Sequence, residues 1–336
     1  MATKIEWAEE TWNPTIGCSR VSAGCDGCYA ITQARIRSGN PKMADAYAGL
    51  VHRDRGRLDW TGRVNLLPDR LPIPLQRRRP TRFFVDSMSD LFHKDVPESF
   101  IAQVWTVMGR CPQHTFIILS KRAGRMRSVV RRIAWRTPTT DERRRGVHGS
   151  VAYVQKNEDL NRHLGAPHVL PNVILGVSVE DQHWADVRIP ALLDTPAAVR
   201  AISAEPLLGP LNLSRYLFAE PSGFPGDWER GLDWVIVGGE SGPGARAMHP
   251  DWVRGIRDQC IDHDVAFFLK QWGDWGPAPF VVRVCDPAEG WQGTEEELEA
   301  AKRDAEARGA THVHTGNPLP GGGYHLHEVG HKPWSL

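Results

Sequence analysis

The 336-residue sequence predicts an α/β fold, a full or partial (β/α) barrel of six or seven parallel strands. Three observations lead there. Short, uninterrupted apolar runs recur along the chain, most of their centres are spaced by the length of one βα unit, and each run ends in small polar or charged residues. An uninterrupted apolar run, unlike an alternating one, fits a strand covered on both faces, as strands of a parallel sheet are.

The elements follow in chain order. A first short strand is expected near residues 12–16. The next runs are Arg82-Phe-Phe-Val-Asp86, Thr115-Phe-Ile-Ile-Leu-Ser120, Asn172-Val-Ile-Leu-Gly-Val-Ser178, Val199-Arg-Ala-Ile-Ser203, Asp233-Trp-Val-Ile-Val-Gly238 and Val265-Ala-Phe-Phe-Leu-Lys270. Their centres at Val85, Ile117, Leu175, Ala201, Ile236 and Phe268 lie 32, 58, 26, 35 and 32 residues apart. Apart from the second gap, that is room for a strand, a crossover helix and two loops. Helical patterns occupy 97–108, 181–193 and 250–260, the first and last opening with proline and an acid, as helix starts do. The long second gap holds a polar, weakly periodic stretch at 137–171, read as an insertion, and 38–80 is a second loop-rich insertion. The expected organisation is one barrel domain over 1–277 and a C-terminal extension over 278–336 packed on it. That extension carries an acidic helix at 294–308 and the histidines His312, His314, His325, His327 and His331, a conceivable second metal site.

Composition narrows the class. The chain is 41% hydrophobic and 24% charged, with a net charge of +1, which is ordinary for a globular protein. It has no run of 18 apolar residues and no signal-peptide core at its start. The expectation is a cytoplasmic protein in a reducing compartment, with no membrane partner. Clustered cysteines there bind metal more often than they form disulfides. Three of the six cysteines are clustered: Cys18, Cys25 and Cys28, separated by six residues and then by two. A Cys-x-x-Cys pair suits one metal centre, and thiolates at this density select zinc, copper(I) or an iron–sulfur cluster. With no fourth cysteine nearby, one coordination position is left open for a substrate, water or cofactor. Cys111, Cys260 and Cys285 are scattered and read as small buried hydrophobes.

In parallel barrels the active site lies at the carboxyl ends of the strands. The loop with the three cysteines follows the first strand and falls on that face. So do Asp86, Ser87, Ser89 and Asp90; Ser120, Lys121 and Arg122; Ser178 and Glu180; Ser203 and Glu205; Glu240 and Ser241; Lys270 and Gln271. Each alone reads as a helix cap or a loop hydrogen bond; together they form a polar rim above apolar strands.

A resemblance adds to this. The segment 11–30, with Asp86-Ser-Met-Ser-Asp-Leu-Phe92, Leu119-Ser-Lys-Arg122, Leu175-Gly-Val-Ser-Val-Glu180, Ser203-Ala-Glu-Pro-Leu-Leu208, Val235-Ile-Val-Gly-Gly-Glu-Ser-Gly242 and Phe267-Phe-Leu-Lys-Gln-Trp-Gly273, resembles a phage and bacterial three-Cys-motif family. That family is itself similar to the radical S-adenosylmethionine superfamily. The resemblance implies a [4Fe-4S] cluster on Cys18, Cys25 and Cys28, with S-adenosyl-L-methionine bound at the remaining iron. It makes Glu240, with Gly238 and Gly239, a candidate to hold the cofactor's amino group; Ser178, Glu180, Ser203 and Glu205 are equal candidates for the contacts to its methionine or ribose. The chemistry implied is one-electron cleavage to a 5′-deoxyadenosyl radical that removes a hydrogen atom from substrate, supplied with electrons by a donor protein. Lys121 or Lys270 would bind substrate phosphate or carboxylate, and Asp86, Asp90, Glu180 or Glu205 would move protons. Three departures stand: the first cysteine gap is longer than the superfamily's, Tyr29 follows the last cysteine where an aromatic residue commonly precedes it, and the Gly-Gly-Glu follows a late strand instead of an early one.

Charge suggests the substrate. Residues 51–82 hold nine Lys/Arg against three Asp, and 121–145 hold ten against two acids. Arginine forks bind phosphate bidentately, so the two segments are expected to contact nucleic acid or a nucleotide, whose base the enzyme would modify or repair. Two other readings compete. One is a zinc hydrolase using the cysteines with a histidine such as His93; the other is a non-catalytic nucleic-acid-binding protein with a structural metal site.

Overall fold

The computed structural model describes residues 5–54, 56–156, 169–217, 231–242 and 244–275. Seven strands make one sheet: β1 (Glu10–Trp12), β2 (Arg82–Val85), β3 (Thr115–Ser120), β4 (Val173–Ser178), β5 (Val199–Ala204), β6 (Trp234–Gly238) and β7 (Ala266–Gln271). They are hydrogen-bonded in sequence order and every pair is parallel. Among the described residues β1 and β7 do not pair, so the sheet curls into an open half-barrel.

The uninterrupted apolar runs have a direct cause here: both sides of each strand are covered. Phe83, Val85, Phe116, Ile118, Val173, Leu175, Val177, Ile202, Val235 and Val237 face the helices in the main core. Their strand neighbours Phe84, Ile117, Leu119, Ile174, Trp234, Ile236 and Phe268 point the other way, into the barrel, and meet Trp7 and Ala8 in a separate cluster. Trp7 packs edge-on against Phe84 (4.9 Å between centroids) and Trp234 (6.3 Å), closing the floor of the barrel with apolar rings.

The crossovers supply the outer layer. α1 (Tyr29–Ser38) follows β1, α2 (Glu98–Gly109) follows β2, α3 (Ala123–Val130) follows β3, α4 (Gln182–Leu193) follows β4 and α5 (Pro250–Asp262) follows β6; a single helical turn, Ser214–Leu217, follows β5. Asp181 caps α4 by accepting from the Trp184 amide, and Pro250 opens α5 where its missing N–H costs nothing. Cys111 and Cys260 are buried in the main core, as expected of small hydrophobes.

The first strand differs from expectation. Backbone pairing with β2 ends at Trp12, because Pro14 lacks an N–H for the ladder. Thr15–Ile16 instead pairs antiparallel with Asn65–Leu66. The insertion at 38–80 is more ordered than a loop. Its ribbon of Val51–Asp54 against Arg57–Trp60 helps enclose a second apolar cluster of Ile16, Ala30, Ile31, Ala34, Tyr47, Leu50, Trp60 and Met88. The insertion after α3 opens with another ribbon, Ile133–Arg136 against Val151–Val154, which brackets the short helix Thr140–Arg144. Cys285, the acidic stretch 294–308 and the five C-terminal histidines lie outside the described residues. Among the described residues no helix is long and apolar enough to cross a membrane.

Candidate active site at the mouth of the half-barrel

The cysteine loop leaves the sheet through Gly17. Its φ of +92° suits only glycine, and a Cβ there would sit 2.3 Å from the Arg63 carbonyl oxygen. A single 3-10 turn, Ala23–Cys25, reverses the chain, and Cys28 leads directly into α1. All three cysteines are free and half-buried. Cys18 and Cys28 lean on the second apolar cluster, and burial pushes the Cys18 thiol up to about 12 and the Cys28 thiol upward as well.

Side chains from three strand ends grip this loop. Beyond β3, Arg122 donates to the Ser19 carbonyl (3.0 Å), the Ser19 hydroxyl (2.8 Å) and the Cys18 Sγ (3.6 Å). Beyond β4, the fully buried Glu180 accepts from the Ser22 hydroxyl at 2.7 Å. Beyond β6, the Glu240 carboxylate lies against Gly27, and Arg246, held on Glu240 at 2.6 Å, donates to the Ala23 carbonyl at 2.9 Å. Two glycines let the carboxylates come this close: a Cβ on Gly24 would lie 2.4 Å from Glu180 Oε1, and one on Gly27 would lie 2.5 Å from Glu240 Oε1.

Both glutamates are neutralised. Burial alone would raise the Glu180 pKa, but Lys121 (3.0 Å) and Arg188 (2.8 Å), with the Ser22 hydrogen bond, outweigh it and hold the carboxyl below its usual range. Arg188 is itself buried, donates to the Ser178 carbonyl at 2.7 Å and lies 4.0 Å over the Trp184 ring. Burial likewise works against Glu240, and its hydrogen bonds from the Arg246 side chain and amide, with the Arg246 charge, prevail and hold its carboxyl below the usual range.

The other expected site residues divide into groups. Asp90 is a structural hub: it accepts from Ser120 Oγ (2.8 Å), the Lys121 amide (3.1 Å) and Arg122 Nη1 (2.9 Å). Glu205 and Lys270 form a separate, partly exposed pair at 2.6 Å across the ends of β5 and β7, with Gln271 at 3.2 Å from the same oxygen. Gly238 passes over Glu205, and Gly239 lies against the backbone of Trp272, where a Cβ would be 1.9 Å from its carbonyl oxygen. Ser178 and Ser203 are buried on neighbouring strands in register. His93 Nε2 is 2.9 Å from Ser19 Oγ and its Nδ1 accepts from the Asp95 amide at 3.3 Å, so it engages the loop through serine and not through a thiol.

Asp86 is buried and at φ 56°, with one oxygen accepting from the Thr15 amide (3.0 Å) and the other from the Thr15 hydroxyl (2.8 Å). It fastens the segment after β1 to the end of β2. Burial, offset in part by these bonds, raises its pKa from 3.8 to about 7. A carboxyl raised in the folded state favours folding below its unfolded pKa, and that contribution is lost as pH climbs through about 7. Asparagine tolerates this backbone, can accept from the Thr15 amide and can donate to its hydroxyl. Between pH 5 and 8, wild-type protein should therefore lose about 2–3 kcal/mol relative to Asp86→Asn in urea titrations, from the ~1.4 kcal/mol carried by each pKa unit. Superimposable pH profiles for the two proteins would refute this.

The donor set suits a soft metal centre in kind: three free thiols on a glycine-containing loop, with no disulfide among them. In the conformation described, no three His, Cys, Asp or Glu side chains among the described residues are arranged to hold a metal ion.

Comparison with known proteins gives one assignment. No curated protein matches the chain. Among solved structures, the chain is similar to a mutant of spore photoproduct lyase, at 10% identity over 80% of this chain and 78% of that one, with a TM-score of 0.41. It is also similar to spore photoproduct lyase complexed with dinucleoside spore photoproduct, at 11% identity over 92% and 76%, with a TM-score of 0.38. Likeness at this level assigns neither reaction nor ligand. The family described as "Protein of unknown function (DUF5131)" matches residues 2–316, so with nearly its whole length covered the chain belongs to that family.

Proposed function

We propose that the protein is an iron–sulfur enzyme of the radical S-adenosylmethionine type, acting on a nucleic-acid base or nucleotide. The observation that supports it most is the placement of three free cysteines on one loop at the carboxyl ends of seven parallel strands, ringed by strand-end charges. Cys18, Cys25 and Cys28 would hold a [4Fe-4S] cluster, which when bound supplies the electron for reductive cleavage of S-adenosylmethionine. The chain's own residues position and shield: Glu180, Glu240 and Arg122 fix the loop, and the apolar floor around Trp7 keeps water from entering from below. Glu205 and Lys270, paired with each other and not with the loop, are the groups left to hold or move a proton on substrate.

Exposed arginines of the first basic segment support an anionic substrate. Arg53 and Arg57 are exposed on a ribbon packed against α1, the helix that follows Cys28, and Arg57 also pairs with Asp26 of the cysteine loop at 3.6 Å. In the second segment several charges are already paired: Arg127 and Arg131 with Asp194 at the surface, the buried Arg132 with Glu98, and Arg136 with Glu142.

The test is anaerobic iron and sulfide analysis of reconstituted protein, with electron paramagnetic resonance before and after S-adenosylmethionine is added. About four irons per chain and a spectrum altered by the cofactor are expected. One zinc and no iron, or a cluster whose spectrum ignores the cofactor, would reject the reading.

A further inference from the structure

We propose that Arg122 is a positioning residue that sets the reduction potential of the metal centre through Cys18; this rests on the iron–sulfur reading above. The guanidinium joins two things that are otherwise separate. On one side, its Nη1 is held by Asp90 Oδ2 at 2.9 Å. Asp90 cannot drift, because it also accepts from the Phe92 amide (2.9 Å), Ser120 Oγ (2.8 Å) and the Lys121 amide (3.1 Å). On the other side, the same Nη1 reaches the Cys18 sulfur at 3.6 Å, while Nη2 donates to both oxygens of Ser19, at 3.0 and 2.8 Å.

Planarity makes this assignment specific. A guanidinium fork fixes the direction of each N–H, so seating Nη2 on Ser19 and Nη1 on Asp90 aims the group at the neighbouring thiol. Its side chain is only 15% exposed, so the charge it presents to that sulfur is weakly screened by water. A donor and a positive charge beside a ligand sulfur stabilise the additional negative charge of a reduced cluster, which moves the potential upward. Neither Cys25 nor Cys28 accepts a side-chain hydrogen bond among those formed by the described residues, so the influence falls on one corner of the centre.

The experiment is a mediator-buffered redox titration of anaerobically reconstituted wild type, Arg122→Gln and Arg122→Lys, with iron counted in each. Glutamine removes the charge and keeps one uncharged N–H donor group on a shorter side chain; lysine keeps the charge and removes the fork. Arg122→Gln should hold as much iron as wild type and reduce at a more negative potential, with Arg122→Lys in between. An iron-loaded Arg122→Gln with the wild-type potential overturns the proposal. Should Arg122→Gln fail to take up iron, Arg122→Lys decides: regained iron with a potential near wild type supports it, and an iron-free lysine variant overturns it, leaving Arg122 a clamp for the loop only. Wild-type protein without iron refutes the parent reading instead, so the two failures are distinct.

Discussion

Glu180→Ala should destabilise the protein by about 3–5 kcal/mol, the usual cost of removing one partner from a buried ion pair. The size of the effect follows from what is left behind. Arg188 is 1% exposed and its pairing with Glu180 at 2.8 Å is its only ion pair among the described residues; Lys121 loses its partner as well. A buried guanidinium without a carboxylate has neither water nor counter-charge. The same argument predicts the sign of a double substitution: Glu180→Ala with Arg188→Met should be more stable than Glu180→Ala alone, because the stranded charge is gone. Denaturant midpoints of the three proteins check this. A single-variant loss below about 1 kcal/mol, or a double variant worse than the single, would show that the cluster of charges is not what stabilises this end of β4.

Cys28→Ser should abolish iron uptake, taking the content from about four to less than about one iron per chain, with the fold retained. Serine is a hard, weakly acidic donor where the centre needs a thiolate. Its structural cost is modest, since Cys28 sits half-buried at the start of α1 and only part of its surface meets the apolar cluster. Cys260→Ala supplies the contrast. Cys260 is fully buried in the main core under α5, so this substitution should lower stability by about 1–2 kcal/mol and leave iron unchanged. Iron that survives Cys28→Ser but disappears with Cys260→Ala would invert the assignment of the cysteines.

Much of the architecture was legible because it is encoded in runs of adjacent residues. The six long strands lie within a residue or so of their apolar runs, since strands covered on both faces have no alternation to obscure them. The first strand was misplaced by a few residues: Thr15 and Ile16 have the same apolar, branched character as a strand of the main sheet, and only long-range pairing with Asn65–Leu66 removes them from it. α1 was missed for a related reason. Its inner face is only Ala30, Ile31 and Ala34, too short a stripe among Thr32, Gln33, Arg35 and Arg37 to signal a helix.

At the site, the strand-end rule found Glu180, Glu240 and Arg122, but not what they do. The resemblance assigns the two glutamates to a cofactor, and the structure adds that both meet the cysteine loop. Arg188 left no trace in the sequence, as an isolated arginine inside α4 looks like any solvated helix residue. Arg246 is equally unmarked, four residues after a glycine turn. The ion pairs of the arginine-rich segment at 121–145 were not legible either, because its partners Asp194, Glu98 and Asp90 are distant in sequence.

Because one short segment is tied to the ends of β3, β4 and β6 at once, its opening is not a local event. Whatever it takes up is linked thermodynamically to the whole sheet, so loading should raise the melting temperature of the domain in proportion to the logarithm of ligand concentration, and chelators should lower it. Heat resistance then becomes a gauge of occupancy that needs no knowledge of the substrate.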